Sequence, residues 1–296
     1  MEMKHWQPRS SRPDDAAELQ ALWAMAFGDS PEFIANYFAR FFTPGSAVVL
    51  ERDGHIISAA HRLPSGGLRL PEGEILPVCT AYAFATAPAY RGNGFGAIVL
   101  KEAIRLDFAE GFTATVLHPA EERLFDYYAR HFGYRNCFYV REASLDLTHL
   151  PVPKGSICHA SPQDYNDFRN QFLRGRLYLM QSDAGIRYQA HLCDSTGGGL
   201  YLLTGEDFLG CAACEKGEDG TVLVKELLCP PGKAWPAVAM LASAVSGRRW
   251  EIRTPADLTG SELGGQVKPF GQMICRGGDS RSIPDECRGY YGFAFD

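Results

Sequence analysis

The stretch "ATAPAYRGNGFGAIVLKEAI", residues 85–104, decides the fold. Gly92, Gly94 and Gly96 stand at alternate positions behind Arg91 and run straight into a helical pattern. A loop between a strand and a helix N-terminus gathers backbone N–H groups that lack intrahelical partners, at the positive end of the helix dipole. Phosphate oxygens bind at such places. Glycines let them approach the amides without meeting a Cβ. The loop reads as a pyrophosphate cradle with Arg91 as a charged donor at its entrance.

Glycines also serve plain turns, and "GNGFGA" satisfies a loose dinucleotide GxGxxG/A pattern. The dinucleotide reading expects the loop in the first βα unit of an open parallel sheet, with an acidic residue about 20 positions further on. Upstream, however, the sequence shows two helices and a hairpin. "SRPDDAAELQALWAMAF" carries Leu19, Leu22, Trp23 and Ala26 at helical spacing. "SPEFIANYFARFF" has Ser30 as a cap, Pro31 in the first turn and Phe33, Tyr37, Phe38 and Phe41 inward. "SAVVLERDGHIISAAH" is two apolar runs around an Asp53-Gly54 turn, and "EILPVCTAYAFATAP" is a third strand. Downstream come a helix over 97–110, a strand "FTATVLHP" and a helix "AEERLFDYYARHF" closed by Gly133.

From about residue 150 the Pro-rich "LPVPKGSICHASP" starts the pattern afresh. "VVLERDGHIISAAH" and "YLLTGEDFLGCAAC" then match as apolar run, polar turn, apolar run, with Ala59-Ala60 falling on Ala212-Ala213. A strand "TVLVKELLC", a helix "PAVAMLASAV" and a strand "RRWEIRT" follow in the same order. Two copies of one fold are expected, with domains at 1–148 and 149–296.

The 296 residues are 46% hydrophobic and 22% charged, ordinary globular material with enough length for two cores. No apolar run approaches a membrane span, and the N-terminus lacks a signal-peptide core, so a soluble cytoplasmic protein is expected, with no membrane partner. The net charge of −6 argues against a nucleic-acid binder and suits a small cationic partner better. The nine cysteines lack a disulfide-like spacing and read as mostly reduced, buried small residues. Cys211 and Cys214 lie three apart on a strand and face opposite sides, so no metal site is expected.

Strand, "PAYRGNGFG", long helix, strand, and then a helix containing "YYARHFGYR" resemble the coenzyme A core of the GNAT superfamily of N-acetyltransferases. Its Arg/Gln-x-x-Gly-x-Gly/Ala signature is matched by Arg91, Gly94 and Gly96, and the resemblance covers about residues 1–145. The tandem arrangement is similar to the enhanced intracellular survival family, without the sterol-carrier-like domain of that family. The resemblance implies an α/β (α+β) fold of two tandem GNAT-like domains, each a mixed, mostly antiparallel sheet flanked by helices. The second would be degenerate and would shape the substrate site. It also implies acetyl-CoA as cofactor, held by the amides of Gly92, Asn93, Gly94, Phe95, Gly96 and Ala97. Phe84, Ala85 and Thr86 would pair with the pantetheine arm and polarise the acetyl carbonyl. The second half carries Pro230, Pro231 and Pro236 where amides would be needed, so only the first domain is expected to bind the cofactor.

Acetyl transfer needs a neutral amine, an oxyanion stabiliser and a proton for the departing thiolate. The family's thiolate-facing tyrosine commonly stands four residues before the glycine that ends its helix, whereas this chain has Ala129 there. Tyr128 is expected to take the role, with Tyr127 as second choice; packing alone is the other explanation for both. For the general base, Glu74, His61, His118 and the terminal Asp296 stay open. Cys79 on the third strand keeps a covalent route in view. The expected function is direct transfer to a small-molecule or peptide-borne primary amine; the alternative is a non-catalytic acyl-CoA-binding or regulatory protein. Oligomeric state is not legible.

Overall fold

The computed structural model describes residues 6–147, 154–278 and 288–295. In chain order the first elements are β1 (Arg9–Ser10), α1 (Ala16–Phe27), α2 (Pro31–Phe41), β2 (Ala47–Arg52), β3 (His55–Pro64), β4 (Gly67–Arg69), β5 (Ile75–Leu76) and β6 (Val78–Thr86). They continue with α3 (Phe95–Ala109), β7 (Ala114–Leu117), α4 (Glu122–Phe132), β8 (Arg135–Asp146), β9 (Gly155–His159), α5 (Pro162–Phe172) and β10 (Tyr178–Met180). The last are α6 (Asp183–Ser195), β11 (Gly199–Gly205), β12 (Leu209–Lys216), β13 (Val222–Leu228), α7 (Ala234–Ala244), β14 (Arg249–Pro255) and β15 (Gln266–Cys275).

Local chemistry accounts for most boundaries. The Ser30 hydroxyl accepts from the Phe33 amide at 3.2 Å and Pro31 opens α2. Asp53 and Gly54 both have positive φ, 52° and 82°, as the two-residue hairpin turn between β2 and β3 requires. Gly133 closes α4 at φ 80°. The segment "EILPVCTAYAFAT" is two strands rather than one. Pro77 has no N–H for a ladder and separates β5 from β6.

The chain packs as two compact units that interleave in sequence. The first comprises Met1–Gly67, Leu76–Arg135 and Gln272–Ser282, the second Leu68–Ile75, Asn136–Gly271 and Ile283–Asp296. In the first, the strands run β1, β2, β3, β6, β7 and the end of β15. All neighbours are antiparallel except β6 and β7, and Gln272–Cys275 closes the sheet on β7. Successive residues of β3 point to opposite faces. Ala60 packs in the core beneath α3, while His61 faces the Trp23, Tyr37 and Phe38 rings of α1 and α2. The helix aromatics are thus core residues, which is why they sit at helical spacing.

The second unit orders its strands β8, β14, β13, β12, β11, β9, with β13 and β14 as the parallel pair. It repeats a detail of the first. Three residue pairs join β6 to β7, and three join β13 to β14. In each unit the register of the preceding antiparallel pair shifts, between Ala59 and His61 and between Ala213 and Cys214. Each unit is a mixed, mostly antiparallel sheet flanked by helices.

Cys211 lies beside Tyr165 and Glu226, whereas Cys214 belongs to the core under α7, so the two thiols do face apart. Seven described cysteines are free, and Cys137 is disulfide-bonded. Among the described residues no group of His, Cys, Asp and Glu comes together to hold a metal ion, and no helix is long and apolar enough to cross a membrane.

Each unit buries an ionic cluster. In the first, Arg62 donates to Asp107 at 2.7 Å and to Glu110 at 2.6 and 3.0 Å, tying β3 to the end of α3. Burial pushes the Asp107 carboxyl up while the Arg62 guanidinium pulls it down. Arg62→Met leaves Asp107, 1% exposed, without its cation, and a loss of about 3–5 kcal/mol is expected in urea unfolding. A loss below about 1 kcal/mol would contradict this account of the pair.

In the second unit Arg169 and Glu226 pair at 3.0 Å with both side chains fully enclosed, and Tyr165 donates to Glu226 at 2.9 Å. The rings of Tyr290 and Phe293 flank the Arg169 guanidinium at 5.8 and 5.7 Å. Gly292, at φ 79°, is where a Cβ would come within 2.4 Å of that guanidinium. The aromatic tail therefore docks. Asp296 lies outside the described residues.

Candidate active site in the first unit

β6 runs six residues beyond Thr80, the last to pair with β7. Among the described residues, no strand pairs with Phe84–Thr86 on the side that β7 occupies further back. Ala83 sits at φ 44°, a left-handed conformation that costs an alanine about 1 kcal/mol or more, and it falls where the β3–β6 register shifts. The bulge re-aims Phe84 out of the regular pleat. The Ser58 hydroxyl fixes the end of this strand, donating to the Ala85 carbonyl and meeting Thr86 Oγ1, both at 2.9 Å.

The glycine loop follows. Arg91 Nε donates to the Thr86 carbonyl at 3.0 Å, and Asn93 Nδ2 donates to the carbonyls of Tyr90 and Arg91 at 3.2 and 3.1 Å. Both side chains therefore brace the loop. α3 begins at Phe95, capped by Gly94 with no side-chain cap bond. Among the described residues, none of the amides of residues 92–97 donates a backbone hydrogen bond to another; the first paired amide is Ile98, to Gly94.

The three glycines are there for two different reasons. Gly92 and Gly94 have φ 78° and 77° and no protein atom within 4 Å of a built Cβ. Their backbone conformation requires glycine, and the space above them is open. A Cβ at Gly96 would instead stand 3.2 Å from the Phe84 ring and 3.3 Å from Thr86 Oγ1. Gly96 lets α3 lie close on β6. Unpaired amides, open space and the positive end of a 15-residue helix fit a pyrophosphate.

Tyr128 stands across from this strand. It is 8% exposed, packs with Leu100 of α3 and Leu117 of β7, and its ring lies 6.5 Å from that of Phe84. Burial, with a smaller push from Tyr127, raises its hydroxyl to about 12. It therefore keeps its proton at neutral pH. Tyr127 is half-buried and its ring meets His131 and Phe132 at 4.8 and 5.8 Å. A helix turns about 100° per residue, so the two adjacent tyrosines leave α4 in different directions, and of the two it is the Tyr128 ring that meets Phe84.

Three of the base candidates, His61, Glu74 and His118, lie among the described residues. His61 is fully enclosed by the Trp23, Tyr37 and Phe38 rings, and burial lowers it to about 3, so it takes up no proton at neutral pH. Glu74 is exposed, on the 68–75 segment that belongs to the second unit. His118 is half-buried just past β7. Cys79 is buried beside Asp107 and burial pushes its thiol up, the opposite of what a nucleophilic thiolate needs.

The second unit shows the contrast. Between β13 and α7 the segment carries Pro230 and Pro231, which have no N–H, and the Ala234 amide at the start of α7 donates to Glu262 Oε1 at 2.9 Å. An internal carboxylate holds the helix N-terminus there. Nothing in the sequence around α7 announced Glu262, because it reaches the helix from 28 residues away.

Residues 7–137 match the sequence profile of a family described as an acetyltransferase (GNAT) domain. No curated protein matches the chain. Among solved structures, a probable N-acyltransferase of unknown function from Enterococcus faecalis V583 superposes with a TM-score of 0.68 at 15% identity, over 91% of this chain and 72% of that one. A GCN5-related N-acetyltransferase from Anabaena variabilis gives 0.70 at 15%, over 92% and 73%. Eis1 from Mycobacterium abscessus gives 0.64 at 13%, over 91% and 73%. At such identities the likeness is one of fold.

Proposed function

With an acetyltransferase domain of the GNAT kind over residues 7–137 as the premise, we propose that the chain transfers the acetyl group of acetyl-CoA directly to a primary amine. The donor supplies a thioester carbonyl already activated for attack. The amides of residues 92–97 hold its pyrophosphate, and the backbone of Phe84–Thr86 pairs with the pantetheine arm and polarises the carbonyl. The amine nitrogen forms the new C–N bond, the C–S bond breaks, and Tyr128 gives its proton to the leaving thiolate. The nitrogen loses one proton to solvent or a base, and Tyr128 is reprotonated from water.

The run of unpaired amides beneath open space carries this reading. Cys79, enclosed and held protonated, supports direct transfer over a covalent intermediate. Titration of acetyl-CoA is expected to give one site per chain, since α7 is capped by Glu262. Two sites would refute the assignment of the second unit. Thiol release is then screened across polyamines, aminoglycosides and peptides with free amines. Binding without release by any amine would favour an acyl-CoA-binding role.

A further inference from the structure

We infer that Arg52, held between Trp6 and Tyr90, is the recognition group for the ribose 3′-phosphate of coenzyme A. The inference rests on the proposed function and adds a specificity for the adenosine end of the donor.

The placement comes from the sheet. β3 runs antiparallel to β6, and the Ala87 amide donates to the Ile57 carbonyl at 2.9 Å. The β2–β3 turn, with Arg52 before it, therefore lies at the same end of the sheet as the glycine loop. Side chains bridge the short gap. The Arg52 guanidinium carbon is 5.4 Å from the Tyr90 ring centre and 5.7 Å from that of Trp6. Both rings pack on Phe95, the first residue of α3, at 6.3 and 5.0 Å. Tyr90 directly precedes Arg91.

The cluster differs from an ordinary surface ion pair. Two aromatic ring centres lie 5.4 and 5.7 Å from the guanidinium carbon while the side chain stays 45% exposed. A fork packed against rings in this way loses little rotamer freedom when it takes up a phosphate. The nearby acids are accounted for. Glu51 and Asp15 are bound by Arg9. Asp53 sits 3.4 Å from Arg52 Nε but is 87% exposed and free to turn away. A pyrophosphate on the amides of residues 92–97 leaves the nucleotide beside the loop entrance, where Arg52 is a cation close to Tyr90. A 3′-phosphate is the dianion that this end of coenzyme A carries.

The test compares coenzyme A with 3′-dephospho-coenzyme A by calorimetry, on the wild type and on Arg52→Gln. Wild type is expected to bind coenzyme A about tenfold more tightly, and the variant is expected to bind both alike, at the wild-type affinity for the dephosphorylated ligand. That last value also shows that the variant is folded. Equal binding of the two ligands by the wild type would overturn the inference and leave the proposed function standing. A preference that survives in Arg52→Gln would also overturn it, and binding of neither ligand by wild type would remove both.

Discussion

Tyr128→Phe is expected to lower the turnover of acetyl transfer by about 100-fold or more, the usual contribution of a positioned proton donor, with acetyl-CoA affinity unchanged. Tyr128 packs through its ring on Phe84, Leu100, Leu117 and Tyr134, and phenylalanine keeps all of these contacts. Thermal stability should stay within about 0.5 kcal/mol. The pH profile gives a second readout. Burial raises the hydroxyl to about 12, so the donor stays protonated, and the wild-type rate should show no loss assignable to this group until pH rises well above 10. A fall of less than about tenfold in single-turnover thiol release would remove the general-acid role, and Tyr127→Phe is the control expected to have little effect.

The second large effect is on binding. Arg91→Glu with Gly94→Val should weaken acetyl-CoA by at least about 100-fold, through reversal of the donor charge and loss of a loop conformation that only glycine adopts easily. At φ 77° a β-branched residue is an outlier costing about 1–3 kcal/mol, and its Cβ would occupy the space now open above the amides. The strain is local, because Gly94 is exposed and no protein atom lies near the built Cβ. An unchanged circular dichroism spectrum would show that the loss belongs to the loop. Wild-type affinity in the folded double variant would mean that the glycines form only a turn, and the acetyltransferase assignment of this site would fall with them.

What was legible in the sequence is what short-range chemistry controls. The caps at Ser30 and Gly133, the Asp53-Gly54 turn, the helical spacing of Trp23 and Tyr37 and the bare loop at 92–97 each depend on residues within a few positions of one another. The match between residues 48–61 and 201–214 was readable for the same reason, since each segment carries its own apolar runs and polar turn. Long-range contact decided the rest. That β15 ends against β7, while β8 pairs with β14, leaves no local trace, because any strand of suitable pattern offers the same backbone donors and acceptors. That Tyr128 rather than Tyr127 meets Phe84 depends on how α4 is rotated over the sheet. His61 reads as a base from its identity alone, and its burial among three rings takes away its affinity for a proton. Glu262 on the α7 terminus comes from the same source. Periodicity and dihedral preference belong to the chain, whereas burial and charge pairing belong to whatever the fold brings alongside.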